Sequence, residues 1–132
     1  MKTKKKIYYA HSRDSFNTAK ENRELKYLKA YFPGYSIFCP NHDVDDIDDF
    51  KEALLYNPII DTCSILVVAE SKGFIDRGEF IAVTRAFSNK MPVYGLNSKV
   101  YENYLFEVSG VEIINDRDWI YDYAKLTKSN WP

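Results

Sequence analysis

Glu79 lies in the segment Asp76-Arg77-Gly78-Glu79-Phe80-Ile81-Ala82, a few residues after the apolar run Ser64-Ile65-Leu66-Val67-Val68-Ala69. The run reads as a strand and the segment as the head of a helix, so a carboxylate stands where a parallel sheet hands over to a helix. In open α/β sheets the crevice outside the carboxyl ends of the strands is where ligands bind. A glutamate there can serve as nucleophile, general base or ribose anchor. The first turn of a helix also favours an acid through the helix dipole alone.

Other groups able to do chemistry sit in the loops that follow strand-like runs. These are His11-Ser12-Arg13-Asp14, Asn41-His42-Asp43, Glu70-Ser71-Lys72-Gly73 and Asn97-Ser98-Lys99. Acid and base occur together there, which suits a polar, hydroxyl-rich small molecule better than DNA, a polyanion that asks for a basic stripe. No glycine-rich dinucleotide fingerprint follows the first strand, and no Gly-Lys-Ser/Thr phosphate loop follows any strand. NAD in the usual mode and phosphoryl transfer from ATP lose their sequence support, and no cofactor is expected. A single phosphate still has a place on Ser12, Arg13 and the helix start behind them. His42 with Asp43, Asp45 and Asp46 has the ligand types for a hard cation. The same run makes an ordinary helix start, and no metal is expected.

These loops need elements to position them, and switches in hydrophobic period supply them. Ile7-Tyr8-Tyr9-Ala10 is a short buried first strand. Asp14 or Ser15 caps a helix to about Tyr31, stopped by Pro33-Gly34. Tyr35–Cys39 is the second strand, Asp45 to Tyr56 the second helix, with Pro58 at or past its end. Ser64–Ala69 is apolar without alternation, as in a central strand covered on both faces. A helix over 77–88 precedes a fourth strand at Met91–Leu96. Val111–Ile114 forms a fifth strand and Asp116 to about Leu126 a last helix, while 97–106 is left without an element. Strands alternating with helices imply a parallel sheet with right-handed crossovers.

The 132 residues fit a single domain. With 18 basic against 19 acidic residues, no global field draws the chain to nucleic acid or membrane. Cys39 and Cys63 follow no metal-ligand spacing and read as free buried thiols, for which a reducing cytoplasm is the simplest compartment. The basic start reads as a solvated tail, since no long apolar core follows it.

Taken together, Ile7–Ala10, Ser64–Glu70, Arg77–Ala82 and Lys90–Gly95 resemble the nucleoside 2-deoxyribosyltransferase family and its relatives that hydrolyse deoxynucleoside monophosphates. The likeness spans roughly Lys5 to Leu96. It implies one such domain over 1–132, an α/β, Rossmann-like (flavodoxin-like) three-layer sandwich with a mainly parallel five-stranded sheet. It implies cleavage or transfer at the N-glycosidic bond of a (2′-deoxy)nucleoside or its 5′-monophosphate, or else a binding-only sensor of the same superfamily. It also implies a homodimer or higher homo-oligomer, with the tyrosine-rich segment from Tyr101 to Trp131 as the contact region.

Within that resemblance Glu79 inherits the nucleophile. Such a carboxylate stabilises or captures the oxocarbenium-like centre left as the base departs. A second acid protonates or holds the base, for which Asp76 and Asp61 are the candidates. One of Tyr8 and Tyr9 orients Glu79, since strand neighbours point oppositely. The family's acid before the third strand falls on Tyr56, Asn57 or Asp61, and the residue pair after Glu79 is Phe80-Ile81 where the family has small residues. Substrate contacts are expected from Tyr9, His11, Ser12, Arg13, Asn41, His42, Asn57, Ser71 and Gly78.

Overall fold

The computed structural model describes residues 5–43, 49–71, 74–99, 102–113 and 123–128. Four strands run parallel: β1 (Lys6–Ala10), β2 (Ser36–Phe38), β3 (Ile65–Glu70) and β5 (Val93–Lys99), in the order β2-β1-β3-β5. All six residues of β3 are buried. This is why its sequence is apolar without alternation: helices cover both faces.

Side chains alternate across the sheet and build two cores. Tyr8, Leu66, Val68 and Val93 face α3 (Asp49–Ile60) and α4 (Arg77–Ser88), packing with Tyr56, Ile60, Ala82 and Val83. Ile7, Tyr9, Val67 and Leu96 face α1 (Ala19–Tyr31), where Leu28 is fully buried. Each such aliphatic side chain contributes about 1.5–3 kcal/mol when removed from water.

Local starts differ from the expected ones in instructive ways. Ser12, not Asp14 or Ser15, opens the first turn: its Oγ accepts from the Asp14 N–H at 3.2 Å, and Arg13–Ser15 form a single 3-10 turn. Asn17 then takes the left-handed region at φ 59°, which a short polar side chain tolerates, and Thr18 caps α1. A short helix, α2 (Pro40–Asp43), follows β2, with Pro40 at its first position, where its missing N–H costs nothing. Pro58 lies inside α3 and does not end it. Only one helical hydrogen bond is lost there, two residues from the helix end.

Among the described residues the sheet has seven strands, not five. A short β4 (Phe74–Asp76) precedes α4; of the stretch left unassigned, 97–99 extend β5 and 102–106 open β6 (Glu102–Ile113), a long antiparallel strand that also takes in Val111–Ile113 of the expected fifth strand. β6 pairs first with β5 and then, from Val108 on and with an irregularity between Val108 and Gly110, with β7 (Tyr123–Lys128). β7 returns to pair with β4, so the whole order is β2-β1-β3-β5-β6-β7-β4. The final helix expected to reach Leu126 is therefore replaced by a strand from Tyr123; residues 116–122 lie outside the described residues. Burial in β7 has period two, Ala124 and Leu126 in and Lys125 and Thr127 out, which a strand satisfies and a helix does not. Among the described residues no helix is long and apolar enough to cross a membrane.

Candidate functional site

A cleft of about 270 Å³ opens at the carboxyl edge of β1, between the turn that follows it and the α3 and α4 layer. Tyr8 and Ala10 come from the strand, His11 to Asp14 from its loop, Asn57 from α3, and Asp76 to Glu79 from the β4–α4 junction. The strand order reverses between β1 and β3, and such a switch point is where an open α/β sheet leaves room for a ligand.

Asp76 caps α4 in a reciprocal box. The Glu79 N–H donates to Asp76 Oδ1 at 2.9 Å, and the Asp76 N–H donates to Glu79 Oε1 at 3.1 Å. The box orients Glu79 and leaves its second oxygen over: Oε2 is buried without a hydrogen-bond partner among the described residues. Burial, and then the charge of Asp76, push the Glu79 carboxyl well above the usual carboxylate range. An acid held neutral in this way can give up a proton, and once ionised beside a developing cation it can act as a nucleophile. Glu79 thus fills the helix-start role and lines the cleft at once.

Of the two tyrosines, Tyr8 reaches the cleft and Tyr9 does not. The Tyr9 hydroxyl donates a short bond to Glu24 on the α1 face, with its ring stacked on His11 at 4.0 Å between centroids. Burial beside Glu24 pushes that phenol far up. Asn57, one of the alignment choices for the family's acid, lines the cleft with a buried Oδ1 that has no partner among the described residues, and Tyr56 lines it too. Ser12, exposed Arg13 and Gly78 also line it.

Other expected residues lie elsewhere. Asp61 is outside the cleft: Arg85 donates to it twice, at 2.8 and 2.6 Å, and Asn89 once, at 2.7 Å. Those bonds hold its carboxyl down at about 2. An exposed aspartate fully engaged with arginine is not available to a departing base. Ser71 pairs with Phe74 through the backbone and is not part of the cleft wall. Asn41 and His42 turn to α1: His42 Nε2 lies 2.7 Å from Glu21 Oε1, while Asn41 Oδ1 accepts from the Cys39 thiol at 3.2 Å. Asp45, Asp46, Lys72 and Gly73 lie outside the described residues.

Sequence reasoning passed over Glu21 and Glu24, both fully buried within α1. Glu24 accepts from Tyr9 and from Ser98 at 2.8 Å; Glu21 meets His11 at 2.7 Å as well as His42. Burial would raise the Glu21 carboxyl, but hydrogen bonds from His11, Asn41 and His42 hold it below the usual range. Their three-residue spacing puts both acids on one helix face, the signal that marks them in the sequence.

No protein-family model matches the chain. No curated protein matches it. Among solved structures, the chain is similar to a conserved protein from Enterococcus faecalis, at 19% identity and a TM-score of 0.57, over 70% of this chain and 62% of that one. The chain thus spans less than two thirds of that protein's length, and the likeness is one of backbone fold.

Proposed function

We propose that the protein cleaves or transfers at the N-glycosidic bond of a (2′-deoxy)nucleoside or its 5′-monophosphate, with Glu79 as the group that meets the anomeric carbon. The observation that carries this reading is the divided Glu79 carboxyl: Oε1 is tied in the capping box while Oε2 is buried without a partner among the described residues, in a residue that lines the cleft. A buried carboxyl oxygen with no hydrogen-bond partner among the described residues gains most from a cation that exists only as the bond breaks. The parallel order β2-β1-β3-β5 supports a Rossmann-like, flavodoxin-like core for that half of the sheet.

In this mechanism the C1′–N bond breaks with its electron pair going to the base, and ionised Glu79 Oε2 bonds to C1′. Asp76, whose Oδ1 holds the Glu79 N–H, holds the departing base, which takes its proton from water. Tyr8 contributes the cleft floor beside the sugar. Water then releases the sugar, or a second base accepts it. Ser12 and Arg13 stand where a 5′-phosphate would be held.

A binding-only module is the second reading, favoured by the same capping box, which employs Glu79 in holding the helix start. One incubation separates the two. Wild-type protein is held for hours with common nucleosides and their 5′-monophosphates, and free base is followed by chromatography beside thermal melting. Base release that Glu79→Gln abolishes supports the enzyme. Stabilisation by a nucleotide with no base released from any of them supports the sensor and overturns the catalytic assignment.

A further inference from the structure

Behind the cleft, three elements bring together a histidine, a carboxylate and a thiol that no local motif announces. His11 follows β1, Glu21 lies in the first turn of α1, and Cys39 ends the run that contains β2. His11 Nε2, a Glu21 oxygen and Cys39 Sγ all lie within 4.8 Å of one another, and all three residues are buried. The Nε2–Oε2 distance is 2.7 Å and the Nε2–Sγ distance 4.0 Å.

We propose that His11, Glu21 and Cys39 bind a divalent cation of the zinc class. Ligand atoms around a tetrahedral zinc stand about 3.3 to 3.6 Å apart, given bonds of about 2.0 Å to nitrogen or oxygen and 2.3 Å to sulfur. The observed separations, from 2.7 Å to no more than 4.8 Å, straddle that range, so shifts of up to about an ångström complete the geometry. The donor set of imidazole, carboxylate and thiolate is one that zinc takes, and three protein ligands leave a fourth position for water.

The surroundings point the same way. His11 Nδ1 lies 3.3 Å from the Tyr9 carbonyl oxygen while Nε2 faces Glu21, so both ring nitrogens confront oxygen acceptors. A neutral imidazole carries one N–H and satisfies one of them. A second ring proton satisfies both, and so does a metal on Nε2, with Nδ1–H donating to the carbonyl as ligating histidines usually do. Glu21 is oriented in turn: Oε2 faces His11 while the part-exposed His42 meets Oε1 at 2.7 Å and the Asn17 N–H donates to Oε1 at 3.2 Å. Charge also balances, since the cation displaces the thiol proton and any proton on Nε2, and a carboxylate with a thiolate neutralises a dication in a buried place. The Cys39 thiol now donates to Asn41 Oδ1, a bond that gives way when sulfur takes the metal.

The test uses the full chain, reduced and stripped with a chelator, then titrated with cobalt(II). The expected result is one equivalent bound, with visible bands of tetrahedral cobalt and a near-ultraviolet thiolate-to-cobalt band, all removed by added zinc. Cys39→Ser should lose the thiolate band and weaken binding by roughly a hundredfold or more, at least the cost of losing a group that only orients a ligand. Cys63→Ser should behave as wild type. If Cys39→Ser does not fold, X-ray absorption at the zinc edge of loaded wild type decides: one sulfur with nitrogen or oxygen ligands is expected. A stripped wild type that binds no cobalt, a thiolate band that survives Cys39→Ser, or a zinc shell without sulfur overturns the proposal.

Discussion

Glu79→Gln separates the two tasks that the structure gives one side chain. Glutamine keeps an Oε1 acceptor for the Asp76 N–H, a bond of 3.1 Å, and its amide replaces the unpartnered Oε2. The capping box therefore survives, whereas Glu79→Ala removes half of it and costs about 1 kcal/mol. For a chain of this size that is a drop of about 3 to 5 °C in Tm, against little change for Glu79→Gln at low pH. With rising pH wild type and Glu79→Gln diverge. Burial and Asp76 raise the Glu79 carboxyl in the folded state, so its contribution is whole below the ordinary carboxylate value and is lost as pH climbs through the raised one. Wild type should lose Tm relative to Glu79→Gln as pH rises above the ordinary value of about 4.3. Base release should fall at least about 10³-fold, or ~4 kcal/mol of barrier, because a neutral amide neither traps nor stabilises the cation. In wild type kcat/KM should rise with pH through the raised value, since the ionised form attacks. Differential scanning fluorimetry across pH and a chromatographic base-release assay provide both readings. Undiminished activity in Glu79→Gln, or a parallel pH dependence of Tm in the two proteins, refutes the reasoning.

Three further outcomes follow from the same geometry. Wild type should prefer a 5′-monophosphate to its nucleoside, and Arg13→Ala should lose about 1.5 kcal/mol of that preference in competition binding, the low end for a charge-assisted bond because Arg13 is exposed; equal handling of both ligands by wild type removes the phosphate site. Asp61→Asn should leave base release unchanged and lower Tm slightly; the contribution of this carboxylate is present above its ordinary value of about 3.9 and is lost as pH falls toward the folded value of about 2, so the difference should fade in acid melts. In Gly95→Ala the new Cβ would run into the Phe106 ring on the neighbouring strand, including a ring carbon 2.9 Å away, and overpacking of this kind should cost about 1–3 kcal/mol in urea unfolding.

The parallel half of the molecule was legible because burial on both faces writes itself into consecutive residues. Ser64–Ala69 has no polar interruption, and β3 is buried at every position. The junction at Asp76–Glu79 was legible for a similar local reason: an acid three residues before another acid at a helix start makes a capping box through backbone groups of the same turn. Which tyrosine of β1 faces the cleft was not, because alternation says only that Tyr8 and Tyr9 differ. The packing of α1 against one face and of α3 and α4 against the other decided it.

The antiparallel half escaped for a physical reason as well. β6 and β7 hold their places by pairing with each other across intervening chain and by curling to β4, and such pairing leaves only short alternations in the sequence. Tyr123–Lys128 has too few residues to separate period two from a helical stripe until its partner is known. Asp61 resembled a site acid in position along the chain, yet Arg85 from α4 claims it in space. The sequence by itself determined the α/β alternation and the placing of Glu79 at a strand-helix junction, both products of neighbouring residues. Only the tertiary structure decided that one Glu79 oxygen is left beside the cleft without a partner among the described residues, and that His11, Glu21 and Cys39 meet, since these depend on elements ten and twenty-eight residues apart closing on one point.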